Sequence, residues 1–311
     1  MKKDYTWNFG QEKSSGDRHG HNIVALDYGF EPDRTLHFAP GGAYPSANLS
    51  CISCHDPHGN YRRLANGSIS TAGPPIIASG SYSNSPDPSA TGSVGTYRLL
   101  AGKGYQPAGI PGVPAFTADP PVAVSPPLYN RAETSSDTRV AYGRGMSEWC
   151  QNCHPQINGL HQHPVGSDTF LSPEVTNNYN AYISSGNMSG RMDVAYTSLV
   201  PFELRTNDYS LLKRVANSDN TVRSGPTGTA SIMCLSCHRA HASGWDSIMR
   251  WNVKADFIVY DGMYPGTDTN VPAAYAQGRL STETQKTFYD RPATYYAPYQ
   301  RSLCNKCHGK D

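Results

Sequence analysis

The chain lacks several features that would point to common classes of protein. Its eight cysteines all fall within four copies of one short motif, so none remains for a disulfide or a catalytic thiol. No apolar run approaches the roughly 20 residues that span a bilayer, which predicts no membrane span. The formal net charge is only +1 and charged residues make up 16%. No basic patch therefore suggests a nucleic-acid partner.

Hydrophobic residues are also scarce for a chain of this length. They make up 37% of 311 residues, and the mean hydropathy is −0.55, which is low for the apolar core expected at that size. Glycine and proline are abundant instead, with 29 and 24 residues. This composition predicts a chain made mostly of loops around a core that is partly cofactor.

The motif that uses all the cysteines is Cys-x-x-Cys-His. Its two cysteines can each form a thioether with one of the two vinyl groups on a porphyrin edge, and the histidine that follows then lies under the iron as its proximal ligand. Four covalently bound haem c groups are therefore predicted. Their motifs are Cys51-Ile-Ser-Cys54-His55, Cys150-Gln-Asn-Cys153-His154, Cys234-Leu-Ser-Cys237-His238 and Cys304-Asn-Lys-Cys307-His308.

Two other uses of Cys-x-x-Cys fit the pattern less well. Two such pairs can build a four-cysteine zinc site, but zinc does not require a histidine after every second cysteine. A thioredoxin-like redox site would use one pair at a strand-to-helix junction rather than four scattered pairs. Haem attachment is the interpretation that accounts for every motif residue.

Seven further histidines could serve as second axial ligands for the four irons. Two histidines on each iron would leave no open coordination position, which favours electron transfer over catalysis, and no catalytic residue is predicted. Methionine is the other common sixth ligand, but the seven methionines have no regular placement near the motifs. The predicted distal ligands are His21, His58, His163 and His241.

His58 and His241 each lie three residues beyond a proximal histidine, in Cys-His-Asp-Pro-His and Cys-His-Arg-Ala-His. So short a tether cannot reach the opposite face of the same haem. Each histidine should therefore ligate a different iron, whose porphyrin lies almost in contact. The two tethers predict closely spaced haems.

Each of the other two predicted distal ligands is one of two histidines that lie two residues apart in the sequence. In Leu-His-Gln-His-Pro-Val, His161 and His163 would crowd a single iron, and we favour His163. In Arg-His-Gly-His-Asn we favour His21, which leaves His19 and His37 as ordinary polar residues or substitute ligands.

Regular secondary structure is expected to be sparse. Residues 1–50 are polar with short strand-like or turn pieces, and the Pro/Gly/Ser-rich region 66–145 favours an ordered, non-helical surface loop with one short hairpin. Apolar periodicity predicts helices at 147–153 and 231–242, a further turn at 245–251, and strands at 194–204 and 253–260 that could pair. The predicted fold class is a multihaem cytochrome c, mostly coil with short helices around the haem motifs and a few short strands, in one unit spanning 1–311.

The contexts of the motifs resemble those of a known family, the OmcE-type tetrahaem extracellular cytochromes that polymerise into filaments. The similar segments are Gly20-His21-Asn22, Ala39-Pro-Gly-Gly42, the stretches 51–59, 149–154 and 234–241, and His163-Pro-Val-Gly166. This resemblance implies bis-histidine haems stacked in a continuous chain, with one distal histidine donated by the neighbouring subunit. His58 is the first candidate for that intersubunit ligand and His21 is the second.

The implied function is electron transfer along stacked haems, as the subunit of an extracellular conductive filament. Its partners would be copies of the chain joined head to tail, redox proteins and an extracellular electron acceptor. A monomeric periplasmic electron shuttle and a multihaem reductase with one open haem stay as alternatives. Haem c is attached after export, yet the first residues show no apolar segment behind their lysines. We therefore expect the signal peptide to be absent from this numbering.

Overall fold

The structure is a computed structural model that describes residues 7–9, 12–14, 19–107, 110–127, 140–157, 165–182, 200–216, 226–288 and 293. The fourth motif, with Cys304, Cys307 and His308, lies outside these ranges, as do His161 and His163. Within the described ranges, no helix is long and apolar enough to cross a bilayer.

The helices in the described ranges are short, and several lie at the haem motifs as predicted. The α-helices are α1 Met146–Cys150, α2 Pro173–Tyr182, α3 Tyr209–Ala216, α4 Cys234–Cys237, α5 Ala273–Ala276 and α6 Ser281–Thr287. Single 3₁₀ turns occur at Leu26–Tyr28, Ser46–Asn48, Cys51–Ser53, Tyr97–Leu99 and Asp246–Ile248. The helix predicted at 231–242 is much shorter, because His238 leaves the helix to form a β-bridge with Met249.

The strands are two or three residues long and form three small sheets in the described chain. Strands β1 Trp7–Phe9 and β2 Glu12–Ser14 make a hairpin, and β7 Ala123–Val124 pairs antiparallel with β8 Ala141–Tyr142. A four-stranded sheet has the order β4-β3-β6-β5, with β3 Arg62–Arg63, β4 Ile69–Ser70, β5 Ile76–Ala78 and β6 Ser93–Gly95.

Region 66–145 is therefore more ordered than the predicted surface loop with one hairpin. Strand β6 is fully buried, and β5 runs parallel to it rather than as part of a hairpin. Gly80 allows this pairing, because a Cβ at that position would lie 1.9 Å from the carbonyl oxygen of Gly95. Strands this short carry too few residues for their alternation to be recognised in the sequence. The prediction that the region is not α-helical is confirmed for its described residues.

The strand predicted at 253–260 is wrong. Residues 252–255 form a turn in which the Asn252 side chain accepts a 3.0 Å hydrogen bond from the Lys254 amide. Ile258 and Val259 instead pack with Trp245 and Trp251 in an aromatic-rich core cluster. Apolar residues that fill such a cluster can mimic the alternation of a strand.

The strand predicted at 194–204 lies partly outside the described residues. In its described part, Glu203 forms isolated bridges with Tyr142 and with Ser231, and no pairing with 253–260 occurs. These bridges hold the polar segment before α3 between β8 and the chain that leads into α4.

Candidate haem centres

Three of the four motifs are described, and they share one local geometry. We refer to Cys51–His55 as site I, Cys150–His154 as site II and Cys234–His238 as site III. In each, the amide of the histidine donates to the carbonyl of the first cysteine, at 3.0, 3.0 and 2.9 Å. This helical turn brings the two thiols and the imidazole of each motif together, which is the arrangement that one covalently attached haem requires.

The backbone fixes the orientation of each proximal imidazole. The Nδ1–H groups donate to backbone carbonyl oxygens that sequence analysis did not assign to the sites: His55 to Arg98 at 2.8 Å, His154 to Pro40 at 2.8 Å and His238 to Ser247 at 3.0 Å. Because a carbonyl can only accept, Nδ1 carries the proton and Nε2 is left as the metal ligand. No sequence signal identifies Arg98 or Ser247, although the Pro-Gly-Gly run marks the turn at Pro40.

Two pairs of histidines face each other as axial ligands of one iron would. The ring centroids of His21 and His154 are 6.1 Å apart, and those of His55 and His241 are also 6.1 Å apart. Metal–imidazole nitrogen bonds are about 2.0 Å long, so two rings bound on opposite sides of one metal have centres roughly 6 Å apart. The spacing of both pairs therefore fits an iron between them.

Burial favours the metal-binding form of two of these imidazoles, one in each pair. Burial, with a smaller effect from the neighbouring His21, lowers the pKa of His154. Burial and the neighbouring His55 and His21 lower the pKa of His241. Only a neutral imidazole has a free nitrogen lone pair for iron, so both shifts favour ligation.

The sites lie next to one another. The thiols of Cys150 in site II and Cys234 in site III are within hydrogen-bonding contact. Burial raises the pKa of Cys54 in site I, and the nearby Cys153 thiol of site II adds to the effect. Site II thus contacts both site I and site III, and the close haem spacing expected from the histidine tethers stays a prediction.

The surroundings of the other histidines indicate different roles for them. His19 is buried at 1% exposure and donates from Nε2 to Asp246 at 3.0 Å, so it is a structural residue. His21 instead faces His154 of its own chain, which favours an intrachain role over the intersubunit role for which it was the second candidate. His37 and His58 are both exposed.

The described residues form no four-cysteine zinc site. Burial raises the pKa of the Cys54 thiol to about 12 and that of the Cys153 thiol to about 11, whereas the contact with Cys150 lowers the pKa of the Cys234 thiol. In the described part of the chain, no group of three or more cysteine, histidine or carboxylate side chains converges as a metal site.

The chain is similar to known cytochromes over its whole length. It is 50% identical to the C-type cytochrome OmcS of Geobacter sulfurreducens, in an alignment that covers 100% of this chain and 74% of OmcS. The chain belongs to the family of c-type cytochromes that includes OmcS. No model of a protein family matches it.

The solved structures agree with this membership. Cryo-EM structures of the OmcS nanowires and of the Outer Membrane Cytochrome S filament, both from Geobacter sulfurreducens, each match with a TM-score of 0.89 and 50% identity. Each match covers 99% of this chain and 77% of the other. As a member of the OmcS family, this chain is a multihaem c-type cytochrome with covalently bound haem c, and the predicted fold class of mostly coil with short helices and strands is confirmed.

The turn that supports site II leads to a first prediction for this OmcS-family chain. A Cβ on Gly42 would lie 1.9 Å from the carbonyl oxygen of Cys153. We therefore expect Gly42→Ala to displace the turn, break the hydrogen bond between His154 and Pro40, and destabilise the protein by about 1–3 kcal/mol. Denaturant unfolding measures this loss. Gly228→Ala is the control, because no atom lies within 4 Å of a Cβ there, and equal stability of the two variants would contradict the prediction.

A buried carboxylate beside sites II and III leads to a second prediction. Glu203 is fully buried, its nearest donors are the Ser167 hydroxyl and the Gly145 amide, and neither forms a hydrogen bond of normal geometry with it. Burial raises the pKa of Glu203 above its usual 4.5, and the neighbouring Glu148 adds to the effect. The folded state therefore holds this proton more tightly than the unfolded state, so stability falls as pH rises from 4.5 through the folded pKa.

We expect Glu203→Gln to remove this loss of stability at higher pH. The variant should be more stable than the wild type by on the order of 1 kcal/mol at pH 8, with little difference at pH 4, as measured by denaturant midpoints at both pH values. Glu174→Gln, at an exposed position of α2, should change neither midpoint. The prediction is that the variant gains more stability over the wild type at pH 8 than at pH 4. A smaller gain at pH 8 than at pH 4 would show that the pKa of Glu203 is not raised in the folded protein.

Proposed function

We propose that this chain is a tetrahaem electron carrier that polymerises head to tail into an extracellular conductive filament. The observation that carries the proposal is the pair of opposed histidines at two sites, His21 with His154 and His55 with His241, each with ring centroids 6.1 Å apart. A bound haem whose iron has two histidine ligands changes oxidation state without a change of ligand and passes electrons to a neighbouring porphyrin. The chain therefore has to hold its haems close together and leave no iron open.

The residues of sites I and II support both requirements. Backbone carbonyls fix the proximal rings, as described above, and the distal rings are also anchored. His21 Nδ1 donates to the Ala240 carbonyl at 2.6 Å, and its amide donates to the His241 carbonyl at 3.0 Å. The two distal ligands thus hold each other, which couples the haem of site I to the haem of site II.

The fourth haem is proposed at Cys304, Cys307 and His308, and His163 is proposed as a further distal ligand. With the sites above, this gives four haems in one unit spanning 1–311. The resemblance to the OmcE-type tetrahaem filaments, which rests on the segments around the motifs, also implies four haems. No iron would keep an open position, so we propose that the chain is not an enzyme and that its other partners are redox proteins and an extracellular electron acceptor.

His58 is proposed as the ligand that joins subunits. It holds the same position after site I that His241 holds after site III. His241 faces the proximal histidine of another site, whereas no described histidine ring faces the exposed His58. A ligand donated to the next copy repeats in one direction, and such a heterologous contact that does not close builds an open filament. The OmcS relatives in the solved structures form nanowires and a filament.

Spectroscopy and microscopy of the oxidised protein test the proposal. The expected results are four haems in the intact mass, wholly low-spin EPR signals of bis-histidine haem, and filaments in electron micrographs. A monomer with all four haems low-spin would favour a soluble electron shuttle. A high-spin quarter of the haem that turns over nitrite would favour a reductase and refute the proposal.

A further inference from the structure

Sites I and III share more than their motifs. In both, the proximal histidine forms an antiparallel bridge with a residue of a later turn, and the same two backbone hydrogen bonds make up that bridge. In site I the bridge pairs His55 with Leu100, through the Asp56 amide to the Leu99 carbonyl at 2.8 Å and the Ala101 amide to the Cys54 carbonyl at 3.0 Å. In site III it pairs His238 with Met249, through the Arg239 amide to the Ile248 carbonyl at 3.0 Å and the Arg250 amide to the Cys237 carbonyl at 2.9 Å. One local structure is used twice.

The sequence hides this repeat because the connections differ in length. Only residues 242–245 separate His241 from the turn of site III. In site I, residues 59–96 separate His58 from the turn, and this longer connection contains the whole β4-β3-β6-β5 sheet. The sheet is thus an insertion between two parts of one haem site.

The shared turn has an unusual backbone. Its two central residues are Arg98 (φ 54°) and Leu99 (φ 56°) in site I, and Ser247 (φ 57°) and Ile248 (φ 57°) in site III. Each turn is closed by a hydrogen bond, from Leu100 to Tyr97 at 3.0 Å and from Met249 to Asp246 at 3.3 Å. These are features of type I′ turns, which strongly prefer Asn-Gly. A non-glycine residue in this region is disfavoured, and a β-branched one such as Ile248 most of all.

We propose that these two strained turns are positioning elements for the proximal histidines. The carbonyl of the first central residue, Arg98 or Ser247, accepts the Nδ1–H of the proximal imidazole. Positive φ at both central residues points that carbonyl at the ring. Backbone strain of this kind persists only where surrounding contacts hold the residue in the strained conformation. Such residues are concentrated at functional sites.

Different side chains support the two turns. The Arg98 amide donates to the Ser81 hydroxyl at 2.8 Å, and its guanidinium donates to Tyr82 at 2.9 Å, so the segment that connects β5 to β6 supports the turn of site I. In site III, the buried His19 supports the turn through Asp246. The two sites share the conformation of the turn but differ in the side chains that contact it. This favours a role for the turn itself.

The expected consequence is a lower reduction potential at both haems. A hydrogen bond accepted from Nδ1–H increases the basicity of the imidazole and thereby stabilises ferric iron. The inference rests on haem binding at sites I and III, and the haem count and spin state test that part separately.

Glycine and proline substitutions at the second central position distinguish the effect of the turn's backbone conformation from the effect of losing the side chain. Leu99→Gly and Ile248→Gly keep the positive φ at no steric cost, so they should retain four low-spin haems with wild-type potentials. Leu99→Pro and Ile248→Pro force φ to about −65°, which turns the carbonyl away. Each should retain low-spin haem but favour the ferrous state of one haem by about tenfold, a shift of about +59 mV, in a redox titration followed by EPR.

Equal potentials in the proline and glycine variants of a site would overturn the proposal. If Leu99→Pro yields no holoprotein, the comparison of the potentials of Ile248→Gly and Ile248→Pro tests the proposal. Loss of haem in both proline variants would show that the turns serve folding rather than imidazole placement, and would also overturn it. A wild-type protein without low-spin haem at these sites would instead refute the proposed function.

Discussion

His58→Ala is expected to leave single subunits in place of filaments, with one quarter of the haem high-spin. His58 is exposed and follows site I as His241 follows site III, so its removal should empty one axial position on the neighbouring copy. An iron–histidine bond at every junction would be lost, and the remaining contact would rest on loop surfaces alone. Electron microscopy and EPR of the oxidised protein measure the two effects.

Added imidazole sharpens this experiment. It should restore the low-spin signal of His58→Ala by filling the empty position, but it should not restore filaments, because free imidazole joins no subunits. His37→Ala is the matched control, since His37 is also exposed and is not a predicted ligand; it should form filaments with only low-spin haem. Normal filaments of His58→Ala would remove His58 as the intersubunit ligand.

The chemistry of the sites could be predicted from the sequence because haem attachment is local. Five consecutive residues supply two thioethers and a proximal ligand, so the spacing alone identifies each site. The structure places His19 against Asp246 and His21 opposite His154, and the choice of His21 as the ligand stays a prediction. The pairing of distal with proximal histidines could not be predicted, because it depends on how segments far apart in the chain meet.

The fold was predictable only in outline. Low hydropathy and many glycines and prolines indicated a loop-rich chain, but strands of two or three residues gave no periodic signal. Helix α3 was missed even though its sequence contains a start signal: Asp208 precedes it, and the Leu211 amide donates to the Asp208 carboxylate at 3.0 Å. The left-handed residues Arg98 and Ser247 give no signal, because type I′ turns favour Asn, Asp and Gly rather than Arg or Ser at the first central position.

His241→Ala is expected to affect electron transfer without affecting assembly. The His241 ring lies 6.1 Å from that of His55 in the same chain, so its loss should make the haem of site I high-spin in single subunits and in filaments alike. Ligand loss and the larger reorganisation of a five-coordinate iron would slow transfer through that haem. In the proposed filament, electrons would pass through the sites in series, so one slow step in every subunit should reduce filament conductance by about tenfold or more.

His241→Met separates ligand loss from loss of the side chain. A methionine ligand would keep the haem of site I low-spin but raise its potential, which places an uphill step in every subunit. Conductance should therefore fall in this variant too, although the EPR signal stays low-spin. If His241→Ala filaments kept only low-spin haem, another residue would be the distal ligand of site I. Conductance equal to the wild type, with one quarter of the haem high-spin, would mean that electrons bypass site I and that the haems do not act as a single series.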